Sequence, residues 1–318
     1  MNSRQRFLQT FDSGVIDRVP LFGEGMRPEV YAAWEQTELR TEDDLPKKFT
    51  YDRREEIFLD VEPAPVPKDW PVSLPDLEKY RSRLNPDDPH RLPAINPAWK
   101  DRQYPLLLRV HEGFFLSMGV EGHHRFNQLM YLCIDQPDFV RAMMELQGAF
   151  VAQVTERLLR DAQVDAVIFS EPIGGNSGAL ISPKMYEDLV IRSYRPVMDV
   201  VARHNIKAVI WRTYANTRAL LPLIVDYGFN CLWACESGEN NMDYLDIRQE
   251  FGDQLRLIGG LDTDVLLQDQ TAIQREVLRV VPPLLEQGGY FPLLDGRVRE
   301  YIPYENYQYY RNLLEELI

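Results

Sequence analysis

Eight short apolar runs, joined in the second half of the chain by helical-period stretches, constrain the fold more than any other feature. Residues 18–24 (RVPLFGE), 57–61 (IFLDV), 105–112 (PLLLRVHE) and 165–171 (DAVIFSE) are the first four. Residues 207–213 (KAVIWRT), 229–236 (FNCLWACE), 254–262 (QLRLIGGLD) and 289–295 (GYFPLLD) are the rest. All are rich in Val, Ile, Leu and Phe and are bounded by turn residues. Continuous rather than alternating apolar runs predict parallel strands buried on both faces. Between them, Phe139, Met143, Leu146, Phe150, Val154 and Leu158 recur at spacings of three and four and predict a helix over 138–160. Ser182-Pro183 opens the next helix with a hydroxyl cap and a proline in the first turn, and Pro196 is expected to kink it. Helices are also predicted over 217–227, 243–251, 271–287 and 303–317. Eight strands alternating with helices in 318 residues predict an α/β fold, a single (β/α)8 TIM barrel spanning 1–318.

Residues 62–97 interrupt the alternation with nine of the 22 prolines and no clear periodicity. This excursion, bounded at 62–104, follows the second run, so it is expected either to pack on the barrel or to cover its mouth. The net charge of −14 disfavours nucleic acid or an anionic membrane as partner, since both require basic surface. No stretch has the apolar length of a membrane span, and the polar start lacks the apolar run of a signal peptide. Cys133, Cys231 and Cys235 are too few to frame a chain of this size, so a reducing cytoplasm is expected.

Barrel enzymes place their chemistry at the C-terminal ends of the strands. Those ends carry Glu24, Asp60, His111 with Glu112, Glu171, Arg212, Glu236, Asp262 and Asp295. Crowded carboxylates must find a base, a cation or a proton, so the mouth is expected to be acidic and to suit a cationic group, a metal or general acid work. It suits a polyanion only where arginines compensate. The 174–178 turn (GGNSG) lacks phosphate-loop spacing, and His123-His124 reads as surface or cap. Cys231 and Cys235 share a strand face and read as core packing. A GxSxG elbow and an HExxH helix are both absent from the sequence.

These segments also carry a resemblance. The opening RQRFLQTFDSGVIDRVPLF, then GFFLSMGVEGHHRFNQLMYLCIDQPDFV, ISPKMYEDLV, GGLDTDVL and IPYENY stand in the order of landmarks of the uroporphyrinogen decarboxylase superfamily. That barrel family also holds corrinoid-dependent methyltransferases, and the DRVP wording resembles their branch more closely. The resemblance implies an anchoring aspartate at Asp60. GMRPEVYAAW keeps Arg27 but lacks the second arginine that holds propionates in the decarboxylases, and LDGRV, with Asp295 and Arg297, replaces their late histidine. Uroporphyrinogen itself is therefore not the expected substrate. The thiol-methylating members' zinc ligands are likewise replaced, by Arg212 and Tyr214 in WRTYAN, so no Cys/His zinc site is expected.

The resemblance thus implies a methyltransferase working with a corrinoid on a separate protein, between a small substrate and the corrinoid or a folate. Asp60, His111, Glu171 and Glu236 are the catalytic candidates, with Glu171 and Glu236 as metal ligands if a metal binds. Arg27, Glu24, Arg212, Tyr214, Asp262 and Asp295 are the substrate-binding candidates. Alternatives are a metal-free decarboxylase of a small acid or tetrapyrrole, or a catalytically inactive binding barrel. A homodimer follows by resemblance alone.

Overall fold

A computed structural model describes residues 1–237 and 242–318. Its main sheet has seven parallel strands in chain order: β1 (Glu55–Phe58), β2 (Leu106–His111), β3 (Ala166–Glu171), β4 (Ala208–Tyr214), β5 (Cys231–Cys235), β6 (Arg256–Leu261) and β7 (Tyr290–Leu294). The sheet curls into a TIM-like half-barrel, the consequence of strands that twist and of right-handed crossovers through helices.

The expected first strand, 18–24, is not one. Its Pro20 has no N–H to give a ladder. Leu21 N–H instead donates to the Asp52 carboxylate at 2.9 Å, and its carbonyl accepts from Asp52 N–H at 2.8 Å. The Phe22 carbonyl accepts from the Arg311 guanidinium at 2.9 Å. The Asp52 and Arg311 side chains, with the Asp52 N–H, thus take up backbone groups that a strand would have paired. Phe22 then stacks on Phe291 of β7, with ring centroids 6.5 Å apart.

Alternate residues sort to two sides of the sheet. Leu107, Ala166, Ile168, Ala208, Ile210, Cys231, Trp233, Ile258, Phe291 and Leu293 point inward, with Phe7 and Phe11 of α1 (Ser3–Phe11) packed among them. The other parity, including Val167, Phe169, Val209, Trp211 and Leu257, packs outward against the helices. The outer layer holds α2 (Leu74–Arg81), α3 (His123–Asp135), α4 (Pro137–Asp161), α5 (Pro183–Leu189), α6 (Arg195–Arg203), α7 (Leu221–Asp226), α8 (Tyr244–Phe251), α9 (Gln270–Gln287) and α10 (Tyr304–Leu317). Pro196 does not kink a continuous helix. The chain breaks into α5, a 3-10 turn and α6, and Pro196 sits in the first turn of α6, where its missing N–H costs nothing. Residues 174–178 make a short two-stranded hairpin, a turn as the spacing predicts.

The proline-rich excursion carries α2 and buries Leu77, Tyr80 and Leu84. Arg91, 1% exposed at its side chain, ties it together. Its guanidinium donates to the carbonyls of Asp60, Glu62, Arg83 and Asn85 and to the Asp60 carboxylate, and it lies 5.0 Å from the Phe150 ring of α4. Among the described residues no helix is long and apolar enough to cross a membrane.

Candidate functional site

A cavity of about 490 Å³ opens at the C-terminal ends of the strands. Its inner wall is built from the inward parity. Glu56 and Phe58 come from β1, Arg109 from β2, Arg212 and Tyr214 from β4, and Trp233 and Cys235 from β5. Arg54, just before β1, joins them, and Arg27, Glu24, Glu42, Tyr51, Glu236, Asp295 and Arg297 supply the other polar and charged side chains of the lining.

Its floor is a closed circuit of charge and ring. Arg212 Nη1 donates to Glu56 Oε2 at 2.9 Å, and Arg54 Nε lies 3.9 Å from Glu56 Oε1. Both guanidiniums sit over the Trp233 ring, Arg54 at 4.9 Å and Arg212 at 5.0 Å from its centre. The ring's negative face favours cations there. Arg109 lies 4.1 Å from the Phe58 ring and pairs with Glu112 at 3.0 Å. Burial alone would raise Glu56, but Arg212, Arg54 and Arg109 outweigh it and hold the carboxyl below its usual range. Burial and the neighbouring Arg212 lower Arg109, while Glu112 opposes them. Burial also pushes the Cys235 thiol up to about 12.

Donors outnumber acceptors on this floor. Arg54 Nη1, Arg109 Nε and Arg212 Nε are each buried with no hydrogen-bond partner among the described residues. A buried N–H without an acceptor is costly, and three on side chains that line one cavity make its floor rich in uncompensated donors. The mouth is therefore not the acidic site expected from the strand ends. Arginines pointing inward compensate the carboxylates, and two of them, Arg54 and Arg109, escaped a reading confined to the strand ends.

The predicted site residues divide. Arg27, Glu24, Arg212, Tyr214, Glu236 and Asp295 all line the cavity. Glu24 is tied into α10, accepting from Tyr307 at 2.8 Å, Tyr310 at 3.2 Å and Arg311 at 3.4 Å. Asp295 caps two segments, accepting from Ser237 N–H at 2.9 Å and Thr263 N–H at 3.0 Å. Glu236 is a rim residue, 57% exposed at its side chain, paired with Arg299 at 2.9 Å, with its backbone at φ 47° in the left-handed region.

Four candidates lie elsewhere. Asp60 is half exposed and faces Arg91 in the excursion. Asp262 caps the turn after β6, accepting from Asp264 N–H at 2.9 Å, and lines a neighbouring cavity of about 430 Å³ with Arg275 and Arg279. Burial and the nearby carboxylates raise its pKa.

Glu171 and His111 point outward, into the helix layer. Glu171 has the parity of Val167 and Phe169, and its carboxyl accepts from Phe114 N–H at 2.8 Å, Tyr186 at 3.0 Å and the Tyr194 hydroxyl. Burial raises it to about 7 against those hydrogen bonds. The ladder shifts register between Arg109 and His111, which turns His111 outward. The His111 ring then packs edge-on to Tyr194 at 4.4 Å, Nδ1 accepts from Gly113 N–H at 2.7 Å, and burial lowers the ring to about 3. Glu171 and Glu236 therefore face different sides of the sheet and do not converge as a ligand pair. Among the described residues no group of three or more His, Cys, Asp or Glu is placed to hold a metal ion.

The sequence model of a family described as uroporphyrinogen decarboxylase (URO-D) matches residues 115–295, more than half of the chain. That span contains Arg212, Trp233 and Cys235, whereas Arg54, Glu56 and Arg109 lie outside it. No curated protein matches the chain.

Proposed function

Because the chain belongs to the uroporphyrinogen decarboxylase family, we propose that it transfers a methyl group from the oxygen of a small organic substrate to a corrinoid carried by a partner protein. The arginine floor would hold the oxyanion left behind. The observation that carries this reading is the set of three guanidiniums, each with a buried, unpartnered N–H, around one cavity. When a methyl group departs, the electron pair of its C–O bond stays on oxygen. Charge therefore develops where Arg54, Arg109 and Arg212 converge, and preorganised donors count most for charge that grows in the transition state. Loss of carbon dioxide moves charge the other way. Arginines gripping the departing carboxylate stabilise the ground state more than the transition state, which weighs against the family's carboxy-lyase chemistry.

Glu56, held ionised by the arginines, fixes them rather than giving up a proton. Tyr214 and Cys235 keep their protons, since burial raises both, and they bound the cavity as neutral groups. A corrinoid on the partner protein would supply the cobalt centre as methyl acceptor. At about 490 Å³ the cavity suits a small substrate, so a corrinoid would stay on its own carrier.

The test uses methyl ethers labelled at the methyl carbon, with chemically reduced free cobalamin as acceptor. Label is expected on cobalamin, with Arg109→Gln and Arg212→Gln each slowing transfer by about a hundredfold. Release of carbon dioxide from a panel of organic acids, with no methyl transfer from any ether, would overturn the proposal in favour of the lyase.

A further inference from the structure

We propose that Glu56 sets the charge that this site accepts, restricting the floor to a single negative charge and so to substrates without a second anionic group. This rests on the anion-binding reading of the floor given above.

The argument starts from repulsion. Three guanidiniums cannot share one small cavity without a counter-charge, because each raises the cost of burying the next. The structure supplies two carboxylates in direct contact. Glu56 bridges Arg212 at 2.9 Å and Arg54 at 3.9 Å, and Glu112 takes Arg109 at 3.0 Å. Three positive and two negative groups in direct contact leave one positive charge unbalanced on the floor; in the rest of the lining Glu24 and Glu236 are paired with Arg311 and Arg299, and Arg27 and Arg297 offset Glu42 and Asp295 in number.

Their positions separate the two carboxylates. Glu56 lies inside the cavity wall, whereas Glu112 follows the end of β2 and is not part of the lining. Glu56 also determines where its two arginines point. With both of its oxygens engaged, Arg54 and Arg212 are laid over Trp233, and Arg54 Nη1 and Arg212 Nε stay without acceptors. A monoanion completes this arrangement. A dianion must bring its second charge beside Glu56, whose carboxylate already holds Arg54 and Arg212, so that charge meets repulsion without a free cation to offset it. Glu56 is thus a positioning residue that also discriminates by charge, and it does so by repulsion as much as by attraction.

The test compares two probes that remain ionised at any working pH, benzenesulfonate and 1,3-benzenedisulfonate, titrated calorimetrically into the full chain. The wild type is expected to bind the monosulfonate more tightly. Glu56→Gln removes the counter-charge and is expected to shift the disulfonate-to-monosulfonate affinity ratio by about tenfold toward the disulfonate. Glu56→Asp retains the charge and is expected to keep the wild-type ratio, a pattern that loss of packing alone does not produce. If Glu56→Gln fails to fold, Glu56→Ser removes the same charge with a smaller side chain and is expected to move the ratio in the same direction. A wild type that binds the monosulfonate, with a ratio unmoved by Glu56→Gln, would overturn the role of Glu56 and leave the anion site standing. A wild type that binds neither probe at millimolar concentration would overturn the anion site itself.

Discussion

Replacing Glu171 by glutamine tests whether the buried carboxyl behind the sheet is neutral in the folded protein. Burial raises its pKa to about 7 from 4.5. The unfolded chain therefore gives up this proton near 4.5, while the folded chain holds it to about 7. The unfolded state binds fewer protons between those values, so this group's contribution to stability falls as pH rises through the window and is level above it. The raised pKa corresponds to a loss of about 3 kcal/mol across the window. His111, lowered by burial from 6.5 to about 3, acts oppositely: its contribution is present above 6.5 and is lost as pH falls toward 3. The two slopes offset between about 4.5 and 6.5, so wild-type stability alone conceals both. Glutamine keeps an oxygen for Phe114 N–H or a tyrosine hydroxyl but never ionises. Urea unfolding of both proteins from pH 5 to 8, followed by tryptophan fluorescence, should show Glu171→Gln gaining on the wild type by up to about 3 kcal/mol as pH rises. Because Glu171 faces away from the cavity, benzenesulfonate binding should stay within about twofold of wild type. A constant offset between the two proteins at every pH would refute the assignment of a neutral Glu171.

Arg109→Gln should weaken benzenesulfonate binding by about tenfold or more, since a charge-assisted hydrogen bond is lost; calorimetry at low and high salt reads both affinity and its screening. Arg91→Met should cost about 3–5 kcal/mol, because the excursion's carbonyls and Asp60 lose their shared donor, while anion affinity stays near wild type; urea unfolding and calorimetry separate the two. Glu24→Ala should destabilise by about 3–5 kcal/mol by leaving Arg311 buried without its carboxylate, read as a lowered urea midpoint. Gly148→Ala should destabilise by about 2 kcal/mol or more, because the new methyl would lie 1.9 Å from the Ser193 carbonyl oxygen; thermal unfolding reads it.

The strands were legible wherever a continuous apolar run was free to pair, because burial on both faces leaves a compositional mark. The run at 18–24 carries the same mark without being a strand. Its burial is real, but Pro20 and the Asp52 carboxylate decide its hydrogen bonding, and composition reports burial rather than pairing. The candidate site was legible only in part for a related reason. A strand end says which layer a residue occupies along the barrel axis, whereas parity says which side it faces. Counting by twos from Ile168 puts Glu171 outside and Ser170 inside, and counting from Ile210 puts Arg212 and Tyr214 inside. The same count from Leu107 selects Arg109, a charge interrupting the apolar text LLLRVH, which was the signal available for it. It also selects His111, wrongly, since the register shift between those two residues leaves no mark in composition. Glu56 and Arg54 fall outside the apolar run that announces β1, because what keeps them at the barrel wall is not their own hydrophobicity. They are held by Arg212 and Trp233, which are distant in sequence, so their place follows from closure of the sheet rather than from local text.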